Sequence, residues 1–176
     1  MAQVIFQKPA GAVALPPVAP LAAEAPRKVS IICSKATLDM AYPGLILANA
    51  ARMGGMEAMI FFTFWGLDVV TRAKVSKLHV STVGNPAMGM PTLVGGLPGM
   101  EVIATRMMKK GMAKLDIPSV EEFLQILRDS GAKLYACGLA MDMFQLTKDD
   151  LVPQVDGVLT ALDFFEKAAG GQIIFI

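Results

Sequence analysis

The chain has 176 residues, 54% of them hydrophobic and only 18% charged, enough for one domain with a substantial core and more apolar surface than such a domain ordinarily hides. Its 16 Lys and Arg stand against 15 Asp and Glu, a balance that excludes a chain built to wrap nucleic acid. A single histidine excludes a multi-histidine metal centre within one subunit, and two cysteines without a pairing framework suit a reducing cytoplasm better than a disulfide scaffold.

Residues 1–27 carry Pro9, Pro16, Pro17, Pro20 and Pro26 among alanines and valines, which rules out a helix or a central strand and predicts an extended arm. No charged leader precedes an uninterrupted apolar core there, and the run from Gly11 to Ala23 is too short and too proline-broken to span a bilayer. A cytoplasmic location is expected. Residues 28–176 then read as one domain. Lys28 to Ser34 is a β-branched run suited to a first buried parallel strand, with Cys33 at its end. Thr37 to Pro43 carries helix-start residues, with the proline read as part of an opening turn. Leu45 to Met53 continues the helix to a stop at Gly54-Gly55. Ala58 to Phe64 predicts a second strand leading into Trp65-Gly66-Leu67-Asp68.

From residue 67 to 118 the pattern changes. Asp68 to Lys77 reads as a short helix bearing Arg72, Lys74 and Lys77, after which Val80 through Met100 contains no charged residue. Prolines at 86, 91 and 98 and five glycines would leave backbone unsatisfied in lipid, so a covered loop is expected. His79, at its start, reads more readily as a packed or exposed residue than as a ligand. Beyond it, Met100, Ile103 or Ala104, Met107, Met108, Met112 and Leu115 recur at helical spacing, with Arg106, Lys109, Lys110 and Lys114 on the other face. Such a helix fits a solvated charged face over a methionine-rich core, an acidic partner, or peripheral contact with an anionic membrane.

Ser119 and Glu122 have capping-box spacing ahead of Phe123, Ile126 and Leu127, with Gly131 as the stop. Lys133 to Cys137 is then a strand that ends on Cys137-Gly138, where a helix-compatible segment takes over. Open α/β sheets place their chemistry at the carboxyl ends of strands, and a sulfur at a helix start meets backbone N–H groups and the positive end of the helix dipole, surroundings that favour thiolate. Cys137 is therefore the candidate reactive atom, against the alternative of a cysteine that only packs. Cys33 would share its edge as a second candidate thiol, or pack under the first loop. Thr147 with Asp150 again has helix-start spacing, Leu159 to Ala169 reads as a last helix, and Gln172 to Ile176 as a terminal strand that must be covered.

The order of these features resembles the DsrE/DsrF-like sulfur-relay family. Cys137-Gly138 matches that family's sulfur-accepting cysteine, and Asp150-Leu151-Val152-Pro153-Gln154-Val155 matches its Asp-Leu-x-Pro-Gly-Val-like turn, with Gln154 where glycine is usual. The likeness covers roughly residues 29–66 and 119–176, and residues 67–118 look like an insertion of a longer branch. It implies a three-layer α/β fold with a mostly parallel sheet, flavodoxin- or Rossmann-like in topology. It further implies a homotrimer or homohexamer and a cysteine persulfide on Cys137, loaded by a rhodanese-type donor or a TusA-like carrier and passed to the next thiol. Contacts through the inserted loop and the arm are expected.

The chain has no Gly-x-Gly-x-x-Gly after a strand, no phosphate-loop motif, no Cys-x-x-Cys and no Gly-x-Ser-x-Gly elbow, so no cofactor and no metal is expected. Two other classes stay open. A thiol peroxide reductase would need an arginine at Cys137, with Arg52, Arg72 and Arg106 available. A non-catalytic assembly or membrane-surface adaptor would use the uncharged loop and the basic helix.

Overall fold

The computed structural model describes residues 27–82 and 92–176. Short β-branched and aromatic runs form five strands: β1 (Lys28–Cys33), β2 (Glu57–Phe62), β3 (Lys133–Cys137), β4 (Gly157–Leu159) and β5 (Gln172–Phe175). They build one parallel sheet in the order β4-β3-β2-β1-β5. The helices are α1 (Leu38–Met53), α2 (Thr92–Gly95), α3 (Met100–Ala113), α4 (Val120–Asp129), α5 (Gly138–Met143) and α6 (Ala161–Ala168). On one face α1 buries Ala41, Leu45, Ala48 and Ala51, small enough to bring the helix close to the strands, and Tyr42 meets Phe123 of α4 edge-on at 6.2 Å. On the other face Phe164 of α6 stacks on Phe61 of β2 at 4.9 Å. Helices on both faces of a parallel sheet give the expected three-layer α/β fold.

Local chemistry sets the boundaries. Ser119 forms the predicted capping box with Glu122, and Thr160 forms a second with Asp163 at the start of α6. The hydrogen bonds from Ser119 and Thr160 hold the carboxyls of Glu122 and Asp163 below their usual range. Gly131 adopts a φ of 84° that closes α4 and turns the chain into β3.

Several boundaries differ from the sequence reading. Pro43 lies inside α1 rather than in its opening turn, because the helix starts at Leu38, whose N–H is taken by the His79 carbonyl at 2.9 Å. The segment expected as a helix from Asp68 to Lys77 is two 3-10 pieces, Phe64–Val70 and Val75–Lys77, the first taking over Phe64 from the end of the expected second strand. Leu159 ends β4 instead of starting the last helix, which begins at Ala161. A three-residue strand is too short to show periodicity, so only its pairing with β3 reveals it. Much of the uncharged stretch, and the arm before residue 27, lie outside the described residues. The terminal strand β5 occupies a sheet edge, with Ile173 and Phe175 exposed in the single chain.

Candidate functional site at the carboxyl edge

Strands β1, β2 and β3 end side by side at Cys33, Phe62 and Cys137. Cys137 is the extended N-cap residue of α5, with φ −80° and ψ 118°, and its side chain makes no capping hydrogen bond. It is 8% exposed, where Cys33 is 1% exposed. Gly138 opens the helix against β4: a Cβ there would lie 3.4 Å from Val158 Cγ1, an ordinary packing distance. Around this junction Phe64 and Trp65 after β2, Leu139 and Met143 of α5, and Leu162 of α6 are all large, apolar and exposed. Phe64 reaches its place through a left-handed φ of 46°.

The two cysteines share the edge but are not brought together. Register pairs Cys33 with Phe62 and Phe62 with Ala136, so Cys33 lies level with Ala136 across one intervening strand. Cys137 is one residue further along, and the pleat turns its side chain to the opposite face from Cys33. Two strand spacings place their Cα atoms about 10 Å apart, beyond the reach of a disulfide.

Burial pushes the Cys33 thiol up from 9.0 to about 11, the backbone at Lys35 offsetting only part of that. At neutral pH about one Cys33 in ten thousand is thiolate, so alkylating reagents should modify Cys137 and leave Cys33 unreacted until the chain unfolds. Stability gives a second readout. The unfolded chain releases the Cys33 proton near 9.0 and the folded chain near 11, so between them the folded state holds a proton that the unfolded state has lost. The contribution of the neutral buried thiol is full below the unfolded value and is lost as pH rises through the folded value, roughly 2–3 kcal/mol in all. Urea melts of wild type and Cys33→Ala, compared below pH 9 and at about pH 11, should differ by that amount in their alkaline loss. Equal losses would show Cys33 to be solvated in solution.

Arg52 and Arg72 are held by backbone carbonyls. Arg52 donates to the carbonyls of Ser130 and Met56 at 2.8 and 2.9 Å, beside the amino ends of β3 and β2. Arg72 donates through Nε to the Leu151 carbonyl at 2.6 Å, and Arg106 lies exposed on α3. Among the described residues no group of His, Cys, Asp and Glu is arranged to hold a metal.

The turn that resembles the relay family has a structural task. Thr147 N and Oγ1 donate to the Asp150 carboxylate at 2.8 and 2.7 Å, which holds that carboxyl below its usual range. Leu151 then bridges Thr71, Arg72 N donates to the Asp150 carbonyl, and Val152 N to the Val70 carbonyl. Gln154, standing where glycine is usual, donates to Gln125 of α4 at 3.0 Å. The turn thereby ties the segment after β2 to the segment before β4, framing the edge on which Cys137 sits.

Sequence reading missed a cavity of about 440 Å³ beyond the ends of β1 and β2, lined by Lys35, Thr37, Trp65, Lys77 and His79 together with the Lys74–Asp68 ion pair at 2.7 Å. His79 is exposed on its rim and gives its backbone carbonyl to α1. The sequence signal was an aromatic pair, Phe64-Trp65, at a strand's carboxyl end, where neither residue serves the core.

The model of the DsrE/DsrF/DrsH-like family matches residues 25–176. A sulfur carrier protein of Allochromatium vinosum, DsrE2, is 36% identical over 155 residues, covering 84% of this chain and 96% of its own. An uncharacterized protein of Bacillus subtilis, YrkE, is 25% identical over 158 residues, covering 87% and 99%. The solved structure of the YchN protein from E. coli has the same fold, with a TM-score of 0.54 at 14% identity, covering 85% of this chain and 99% of that one. With its parallel sheet, its Cys-Gly junction and a family match that takes in every described element, the chain belongs to the DsrE/DsrF/DrsH-like family.

Proposed function

We propose that the protein is a sulfur carrier that holds sulfane sulfur as a persulfide on Cys137 and passes it to a partner thiol. The observation that carries this reading is the 36% identity with a sulfur carrier protein over 96% of that protein's length. The position of Cys137 at the carboxyl end of β3, 8% exposed where Cys33 is 1%, supports it as the atom that is loaded. The Cys137 thiolate attacks the outer sulfur of a donor persulfide R–S–SH, a new S–S bond forms on Cys137, and the donor bond breaks to release R–S⁻, which takes the proton the Cys137 thiol gave up. No net oxidation occurs, and delivery repeats the exchange with Cys137–S–SH as donor. This chemistry needs an accessible thiolate and no acid–base pair. A rhodanese-type donor and a TusA-like carrier are the partner classes that supply and consume such sulfur, and a reducing cytoplasm keeps both thiols free between loadings.

Mass spectrometry of the protein after incubation with a persulfide donor tests this reading. A gain of one sulfur atom that a thiol reductant removes is the expected result. Oxygen addition with turnover of peroxide would make it a reductase, a reading that the commitment of Arg52 to the Ser130 and Met56 carbonyls and of Arg72 to the Leu151 carbonyl counts against. No adduct of either kind would leave an adaptor.

Assembly belongs to the same reading. Leu162 and Phe165 of α6 and Ile173 and Phe175 of β5 are 46 to 70% exposed, an apolar face next to a strand edge that is unpaired among the described residues. Light scattering at micromolar concentration should find a homotrimer or homohexamer, and Phe165→Asp with Phe175→Asp should shift it toward monomer. A monodisperse wild-type monomer would remove the interface.

A further inference from the structure

We infer that the cavity of about 440 Å³ beyond the ends of β1 and β2 binds a small planar organic anion, whose charge meets Lys35 and Lys77 while its flat body lies against Trp65. The property is separate from the sulfur chemistry. The lining is drawn from the segments that follow β1 and β2 and from the stretch ending at His79, whereas Cys137 joins β3 to α5.

Three segments make the walls, and backbone hydrogen bonds tie them together. Thr63 N donates to the Cys33 carbonyl at 3.0 Å and Gly66 N to the Ser34 carbonyl at 3.1 Å, holding the residues around Trp65 against the loop that leaves β1. Leu38 N donates to the His79 carbonyl at 2.9 Å, holding the third segment against the start of α1. A cavity walled in this way exists before a ligand arrives, so little ordering has to accompany binding. Phe64, immediately before Trp65, adopts a left-handed φ of 46°, a conformation that a bulky side chain keeps only where its surroundings hold it. Trp65 itself is 66% exposed, so its ring serves the cavity wall and not the core.

The charge of the lining selects the ligand. Asp68 is its acid, and Lys74 neutralises it at 2.7 Å. Lys35 and Lys77 enter no ion pair among the described residues, which leaves two uncompensated cations beside the apolar surface of Ala36, Leu78 and Trp65. A bare inorganic anion would leave that apolar surface unused. A neutral aromatic molecule would leave the lysines unpaired, and a cationic one would be repelled. A planar body carrying a carboxylate satisfies both, the lysines acting as point charges and the indole as a stacking surface. Thr37 Oγ1, which makes no capping bond to α1, is a further donor on the lining. The start of α1 adds little, because Leu38 N is taken by His79 and the N–H groups of Met40 and Ala41 by the Thr37 carbonyl. Recognition therefore falls on the side chains.

Trp65 is the only tryptophan of the chain, so its fluorescence reports on this wall directly. Titration of the full chain with benzoate should give a saturable change in that fluorescence, weakened by salt. Benzyl alcohol and benzylamine, the same ring uncharged and oppositely charged, should bind more weakly. Acetate, the charge without the ring, should bind weaker by about ten-fold or more. Lys35→Gln with Lys77→Gln should weaken benzoate about ten-fold. Trp65→Leu, followed by calorimetry, should weaken it about five-fold by removing the stacking surface. All three side chains are exposed, so circular dichroism and melting temperature should stay at wild-type values. No saturable signal with benzoate, benzyl alcohol binding as tightly as benzoate, or benzoate binding unchanged in the lysine variant would each overturn the proposal.

Discussion

Cys137→Ser is expected to lose the whole donor-derived sulfur adduct while the protein stays folded and assembled. The two energetic effects of the substitution nearly cancel. Burying a hydroxyl in place of a thiol costs about 1–3 kcal/mol when it finds no partner. At an N-cap, however, a serine oxygen accepts from the first-turn N–H groups and stabilises the helix by about 1 kcal/mol. Cys137 is the N-cap of α5 and makes no such bond itself, so the serine gains what the sulfur leaves unused. Cys33→Ser should retain the adduct, because Cys33 is 1% exposed and its thiol is pushed up to about 11. Intact-mass measurement of wild type and both variants after donor treatment, followed by reduction, gives the answer in one experiment. An adduct lost in Cys33→Ser and kept in Cys137→Ser would reverse the assignment.

That Cys137 and Cys33 each end a parallel strand on one carboxyl edge was legible in the sequence, because each closes a short apolar run and is followed by residues that favour another element. Their separation was not. Whether two strand ends lie adjacent depends on strand order, and which face a side chain takes depends on register to a single residue. Here β2 stands between them and the one-residue offset puts the sulfurs on opposite faces. The same limit explains α3. Helical spacing identifies an apolar stripe, but how wide a strip of it the body covers depends on neighbours distant in sequence, here Val80 and the segment around Ser76. It also explains β4, whose three residues declare themselves only by pairing with β3. The Ser119 and Gly131 signals succeeded because capping and a positive φ are settled within a few residues.

Gly66→Ala is expected to disrupt the carboxyl edge more than any surface substitution. Gly66 N donates to the Ser34 carbonyl at 3.1 Å and to the Thr63 carbonyl at 2.9 Å, fixing the 3-10 segment against the loop that leaves β1. A Cβ at this position would stand 2.0 Å from the Cys33 carbonyl oxygen and 2.7 Å from its carbon. No rotamer change relieves a clash between a Cβ and backbone, so the Phe64–Val70 segment must move away from β1. Overpacking of a core costs about 1–3 kcal/mol, and a backbone contact this short belongs at the top of that range or above it. Gly138→Ala is the matched control, since its Cβ would meet Val158 Cγ1 at 3.4 Å and Leu159 O at 3.7 Å. Urea denaturation should therefore show a loss of about 3 kcal/mol or more for Gly66→Ala and under about 1 kcal/mol for Gly138→Ala. Because the same segment carries Phe64 and Trp65 onto the rim, sulfur loading of Cys137 by a protein donor should fall in Gly66→Ala even at temperatures where it remains folded. Loading by a small persulfide, which needs no rim, should persist. Stability of Gly66→Ala equal to that of Gly138→Ala would mean that the close approach to the Cys33 carbonyl is absent in solution, and the rim would lose its fixed position with it.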